Sequence, residues 1–269
     1  MNLSAGTAIT SWDLPKGASP ATNRAKDILL PWRRSSRKRN NYFPNSREHA
    51  VHAETKEPLK ILITAGSTVE PIDPVRYISN RSTGAAGYSL ARAAVKRGWR
   101  VCLITGPAGM DAPEGAELVR IETAEQMKDE VLARAGEADC LIMAAAVCDF
   151  RPERAAREKI KKTQGRLKLE LVKTPDILSC VDERPGFIKV GFALETEKTA
   201  ENARGKLTAK GLDMVIANTA GGGKDPFGEG RGRKFDYIII GKDLEGAELK
   251  AVTKEKMAEE VLDRVQGLI

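Results

Sequence analysis

The loop from Ala65 to Gly87 holds two prolines, two acids, Arg76, Asn80 and Arg81, and ends in Ser82-Thr83-Gly84-Ala85-Ala86-Gly87 at the mouth of a predicted helix. Free backbone N–H groups at a helix start, with hydroxyls and an arginine beside them, can hold an anion. Ser82, Thr83, Gly84 and Gly87 are therefore candidate phosphate contacts, and the first expectation is a nucleotide- or phosphate-handling enzyme.

Five further stretches carry chemistry-bearing side chains. An apolar run ends in Ala144-Ala145-Ala146-Val147-Cys148-Asp149, where small alanines would let a flat base or sugar approach the backbone. Asp149 is then aimed at whatever binds, or is a solvated acid. Glu158-Lys159-Ile160-Lys161-Lys162 is a basic cluster that reads either as a solvated face or as a mobile lid bringing a lysine to developing charge. In Lys173-Thr174-Pro175-Asp176-Ile177-Leu178, Pro175 suits a first helical turn and Asp176 the positive helix end. Phe192 ends a strand, either stacking on a base or filling core. Lys206 and Lys210 lie four residues apart on one predicted helix face, where like charges repel unless an anion sits between them; exposed surface lysines are the alternative.

The elements that must position these groups alternate apolar runs with amphipathic segments, the pattern of an α/β, Rossmann-like, doubly wound and mostly parallel sheet. Strands are predicted at Lys60–Thr64, Arg100–Thr105, Cys140–Ala146, Phe187–Ala193, Asp213–Ala217 and Phe235–Ile240. Helices are predicted at Gly87–Arg97, Ala124–Ala135, Pro175–Val181, Lys198–Lys210 and Lys254–Gln266. Leu167 to Leu171 alternates with period two, so residues 151–172 form a small flap or arm with one wet face.

Composition excludes several classes. Of the net charge of +7, residues 1–57 supply +5 (ten Lys/Arg against five Asp/Glu), so 58–269 is nearly neutral and nucleic acid is not its expected partner. The basic extension 1–57 shows no sustained period and is expected to be disordered. Both histidines, His49 and His52, fall within it, which excludes a catalytic or zinc-binding His in the core. Four cysteines without a CxxC pair read as reduced thiols of a cytoplasmic protein, and no apolar run approaches the roughly 20 residues of a membrane helix. A dinucleotide fold would need GxGxxG after the first strand and an acid after the second; the sequence offers Ala65-Gly66-Ser67-Thr68-Val69-Glu70 and Ile104-Thr105-Gly106-Pro107. No GxxxxGK[ST] P-loop is present either.

Taken together, ITAGSTVEPIDPVRYISNRSTG, AAAVCDFRP, EKIKK, KTPDIL, GFALET, Lys206 with Lys210, and DMVIANTA, in that order, resemble the phosphopantothenate–cysteine ligases of coenzyme A biosynthesis over residues 60 to about 267. The resemblance implies a ligase condensing 4′-phosphopantothenate with L-cysteine through an acyl-cytidylate, with CTP as co-substrate, ATP as the other candidate nucleotide, and Mg2+ accompanying it. It implies a homodimer and, since residues 1–59 are too short for the flavin-dependent decarboxylase often fused ahead of this domain, a stand-alone ligase. Asn80 would hold the acyl-cytidylate, Arg76 would lie near the phosphopantothenate end, and Lys159 would act in the second half-reaction. Met143, Ala144, Ala145, Asp149, Pro175, Asp176, Ile177, Leu178 and Phe192 would form the nucleotide pocket, with Lys206 and Lys210 on the triphosphate. Two departures stand out: Phe227–Lys234 replaces a Phe-Gly-Ser-Asp type turn, and Cys148 stands where alanine is usual. A non-catalytic nucleotide- or RNA-binding protein using the basic tail is the alternative.

Overall fold

The computed structural model describes residues 57–162, 165–220, 227, 232–242 and 246–269. The extension expected to be disordered, 1–57, lies outside them except for its last residue, and so do residues 228–231 of the turn at 227–234.

The chain opens with β1 (Lys60–Ala65), a hairpin of β2 (Val69–Pro71) and β3 (Tyr77–Ser79), and α1 (Ala85–Lys96). Then come β4 (Arg100–Thr105), β5 (Glu117–Arg120), α2 (Ala124–Ala135) and β6 (Cys140–Met143). A second small sheet joins β7 (Phe150–Pro152) to β8 (Leu171–Lys173), followed by α3 (Ile177–Cys180), β9 (Ile188–Glu195), α4 (Thr199–Ala209) and β10 (Met214–Thr219). Strands β11 (Phe235–Gly241) and β12 (Ala247–Val252) and helix α5 (Lys254–Leu268) complete it.

The main sheet has the order β12-β11-β10-β9-β6-β1-β4-β5. From β5 to β10 neighbouring strands are parallel, and β11 and β12 add antiparallel at the β10 edge. Alternation in β1 divides the core: Ile61 and Ile63 join α1 and α5 on one face, and Leu62 joins α2, α3 and α4 on the other. Each such side chain, wholly removed from water, contributes roughly 1.5–3 kcal/mol. The chain leaves β1 toward β4 and leaves β6 toward β9, so the order reverses between β1 and β6, where open α/β sheets hold ligands.

Several elements differ from those expected. Strand β6 ends at Met143 instead of Ala146, and beyond it only a bridge between Ser67 and Ala146 continues the pairing. Of the alternating Leu167–Leu171 only Leu171 enters a strand; beyond it the Glu153 amide still donates to the Glu170 carbonyl at 2.9 Å, and there the pairing with β7 stops. Helix α3 is a single turn over Ile177–Cys180 rather than Pro175–Val181, started by the Asp176 side chain accepting from Ser179. The short strands β2, β3, β5 and β12 were not expected at all.

Glycine at two positions sets how closely the site's loops approach. A Cβ on Gly106, just after β4, would lie 1.8 Å from the Ser67 carbonyl oxygen, so the turns after β1 and β4 touch backbone to backbone. A Cβ on Gly87 would lie 2.6 Å from the Ala65 Cβ, so α1 lies directly on β1. Gly106→Ala is expected to destabilise by about 2 kcal/mol or more, roughly 4–8 °C in Tm. Thermal unfolding checks this, and an unchanged Tm would show that the two turns are not locked together.

Candidate active site

A cavity of about 820 Å3 opens at the carboxyl edge of the parallel strands, beside the point where strand order reverses. Asn80 and Ser82–Ala86 line it after β3, Met143–Asp149 after β6, and Thr174–Leu178 around the start of α3. Phe192 from β9, Lys206 and Lys210 from the end of α4, and Asn218 from β10 complete the part that carries chemistry.

Backbone and hydroxyl bonds hold these segments together. The Ala146 amide donates to the Gly66 carbonyl at 2.8 Å and the Thr68 amide to the Ala146 carbonyl at 3.3 Å, fastening the β6 loop to the β1 turn. Thr64 Oγ1 accepts from the Ala145 amide at 3.2 Å, and Thr68 Oγ1 from the Cys148 amide at 2.9 Å. Thr174 joins the third segment, its hydroxyl donating to the Cys148 carbonyl and its amide to the Asp149 carbonyl. Asn80 is fixed by its Nδ2 donating to the Val147 carbonyl at 2.8 Å. Gly84 starts α1 in the left-handed region at φ 78 with no side-chain cap, while the Ser82 and Thr83 hydroxyls accept from the Gly84 and Ala85 amides. A helix start of this kind presents N–H groups and the positive dipole end to an anion.

The two lysines of α4 part company. Lys206 is largely buried, its Nζ donating to the Phe192 carbonyl at 2.5 Å. Burial pushes its pKa below the ordinary lysine value against the partial support of Glu195. Lys210 reaches across to the Asp176 carboxylate. Burial raises the pKa of Asp176, but the bonds from Lys210 and Ser179 outweigh it and hold the carboxyl below its ordinary value. Each cation thus has its own protein partner, rather than sharing one site between them.

Fifteen of the sequence-selected residues lie on the cavity wall: Asn80, Ser82, Thr83, Gly84, Met143, Ala144, Ala145, Asp149, Pro175, Asp176, Ile177, Leu178, Phe192, Lys206 and Lys210. Three do not. Gly87 is buried within the first turn of α1, where its role is the close contact with Ala65. Arg76 is turned away, its guanidinium bound to the Asp73 carboxylate and the Ile160 carbonyl. Lys159 is exposed on the arm between β7 and β8. Phe192 serves both readings offered for it, half-buried against the core and facing the cavity. Cys148 turns its sulfur behind the wall, toward the Thr68 and Ile78 carbonyls. Asn218 and Tyr237 also line the cavity without having been selected. Asn218 stands at a strand's carboxyl end and was open to the same reasoning as Asp149; Tyr237 comes from the antiparallel β11, which no motif marks.

Residues 57–268 match the family described as the DNA/pantothenate metabolism flavoprotein C-terminal domain. The chain belongs to this family. Among its curated members, the coenzyme A biosynthesis bifunctional protein CoaBC of Bacillus subtilis is 41% identical over 221 residues, which are 80% of this chain and 53% of that one. The protein of the same name from Vibrio parahaemolyticus is 39% identical over 230 residues, 82% of this chain and 56% of its own. The chain therefore spans about half the length of these relatives. In three dimensions it matches the crystal structure of a CoaBC C-terminal domain at 34% identity and a TM-score of 0.66, over 78% of this chain and 95% of that one. A Streptococcus pneumoniae member matches at 26% identity and a TM-score of 0.66, over 78% of this chain and all of that one.

All four cysteines are free thiols, and Cys102, Cys140 and Cys148 are buried. Burial pushes the Cys102 thiol up to about 12 and raises that of Cys140 as well. In the folded protein Cys180, exposed on α3, is therefore expected to be the one thiol that reacts promptly with an aromatic disulfide reagent, the others following only on unfolding. Prompt labelling of Cys148, located by peptide mapping, would put its sulfur in the cavity and contradict the arrangement of this wall.

Proposed function

We propose that the chain catalyses the condensation of 4′-phosphopantothenate with L-cysteine in coenzyme A biosynthesis, with CTP as the activating nucleotide. One observation carries this reading. In a chain of this family, one cavity brings together an uncapped helix start with two hydroxyls, a fixed asparagine amide, an aromatic ring and two lysines. That set suits a substrate carrying phosphate at one end and a nucleoside triphosphate at the other.

In the first step a carboxylate oxygen of phosphopantothenate attacks the α-phosphorus of CTP, the bond to the β-phosphate oxygen breaks, and pyrophosphate leaves. In the second the cysteine amine attacks the acyl carbon, loses a proton and expels CMP. Ser82–Gly84 and the amides opening α1 hold the phosphate of phosphopantothenate, and Asn80 holds the acyl-cytidylate. Met143–Ala145, Asp149, Pro175–Leu178 and Phe192 enclose the nucleoside, and Lys206 and Lys210 neutralise the triphosphate and the departing pyrophosphate. No catalytic histidine is called for, because activation makes the acyl group reactive and positioning does the rest. Magnesium suits the cavity's carboxylates, Asp149 and Asp176, with most of its remaining ligands expected from triphosphate and water. Among the described residues no group of three or more His, Cys, Asp or Glu side chains forms a separate cage. A homodimer belongs to the same reading, with Val75, Tyr77 and Phe150 among the exposed large apolar side chains that a second copy would cover.

The deciding experiment measures CMP release with each substrate omitted in turn. Turnover is expected only with both phosphopantothenate and cysteine present, more efficiently with CTP than with ATP, and none at all would end the ligase reading. Asn80→Ala should slow both half-reactions, whereas Lys159→Gln should let acyl-cytidylate accumulate in a quenched-reaction mass spectrum; full activity in both would refute their roles.

The lowered pKa of Lys206 gives a pH signature. The ammonium form attracts triphosphate, and its proton is lost at a lower pH than the 10.5 of an ordinary lysine. Affinity for CTP should therefore weaken as pH rises toward that value. Calorimetric titrations should find weaker binding and a flatter pH profile in Lys206→Ala, and an unaltered slope would remove Lys206 from the triphosphate site.

A further inference from the structure

The two catalytic candidates that lie off the cavity wall, Arg76 and Lys159, are joined by a third residue that carries no role so far. Asp73 lies in the loop between β2 and β3, and although polar it is 3% exposed. Its Oδ1 accepts from the Val75 and Arg76 amides, both at 2.9 Å, which shapes the loop. Its Oδ2 accepts from the Arg76 guanidinium, at 3.0 Å from Nε, and from the Ile160 amide at 3.1 Å. Arg76 closes the ring by donating from Nη2 to the Ile160 carbonyl at 2.8 Å. A third tie between arm and loop, from the Ala156 amide to the Ile72 carbonyl at 2.9 Å, lies alongside.

These bonds fasten one face of the arm, at Ala156 and Ile160, to the hairpin that leads into Asn80. Phe150 and Lys173, at the roots of the arm, both line the cavity. Lys159 is the residue immediately before the doubly bound Ile160, so its backbone has little freedom of its own. A carboxylate suits this place: one anion accepts from donors on both segments, and charge-assisted bonds of this kind are about twice as strong as neutral ones. The Arg76 guanidinium, outweighing burial and aided by the Val75, Ile160 and Arg76 amides, holds the Asp73 carboxyl far below the usual range, so it stays ionised at any working pH.

We propose that Asp73 is a positioning residue, a buried latch that acts with Arg76 to hold residues 156–160 on the β2–β3 loop and thereby sets where Lys159 stands relative to the cavity. Arg76 then acts on the reaction through the arm, by way of Ile160. This rests on the ligase reading for the role of Lys159; the latch itself rests on the contacts alone.

Asp73→Asn is the test. It keeps Oδ1 for the Val75 and Arg76 amides, and so keeps the turn, but puts an NH2 group opposite the Ile160 amide and the Arg76 guanidinium. Trypsin under native conditions reads the latch, since Arg154, Arg157, Lys159, Lys161 and Lys162 all lie on the arm. Cleavage there should quicken at least tenfold in Asp73→Asn, with cleavage at Lys96 and Arg97 in α1 unchanged. Pyrophosphate release from CTP should stay within about threefold of wild type, while conversion of acyl-cytidylate to product slows at least tenfold. Lys159→Gln should reproduce the slow second step without releasing the arm. Unchanged proteolysis overturns the latch. Faster proteolysis with both half-reactions intact, or a rise confined to the KM for phosphopantothenate, overturns the positioning role and returns Arg76 to direct substrate contact. Wild-type protein without turnover would refute the ligase reading and the catalytic part of this proposal, while the trypsin result would still decide the latch.

Discussion

The cavity depends on the junction between the turn after β1 and the loop after β6. Two backbone bonds between Gly66, Thr68 and Ala146 make that junction, and the sheet cannot make it alone, because β6 stops at Met143. Past that residue the chain must leave the sheet plane to form a wall, and its amides must find acceptors other than strand partners. Thr64 and Thr68 supply two of them from β1 and its turn. The requirement explains buried hydroxyls where a parallel strand would ordinarily carry only aliphatic residues. It also explains why the turn after β4 must present a glycine to the Ser67 carbonyl.

From that junction the other functional segments are arranged by short-range ties. Asn80 is held by the Val147 carbonyl, the Lys173–Leu178 segment by Thr174, and Phe192 by Lys206. Glu70, buried in β2, accepts from the Ala124 amide at 2.8 Å and so anchors the hairpin to the start of α2. The hairpin is thereby a fixed platform, and the arm resting on it through Asp73 inherits its position. A chain of polar contacts thus runs from the first residues of α2 to the arm without passing through the apolar core.

Much of the fold and most of the cavity wall could be read in the sequence. Long apolar runs such as Ile61–Ile63 have no other stable place than a buried parallel strand, and residues at strand ends such as Asp149 follow from that placement. The short strands escaped because β2, β3 and β5 have three or four residues each, too few for any period to show. The arm misled for a related reason: Leu167–Leu171 alternates well, but alternation reports one wet face and does not supply a partner strand. Arg76 and Gly87 show a different limit. Residue type told what each could bind; only the fold revealed that Asp73 and Ala65 had already taken them.

The pairing of Lys210 with Asp176 bears on how the reaction would end. A triphosphate arriving at this lysine must displace a carboxylate, and when pyrophosphate departs that carboxylate is at hand to take its place. Under the ligase reading the internal anion would weaken the hold on substrate and product alike, and most of all on the small, highly charged product, which a bare pair of lysines would retain. A built-in competitor of this kind exchanges some affinity for turnover.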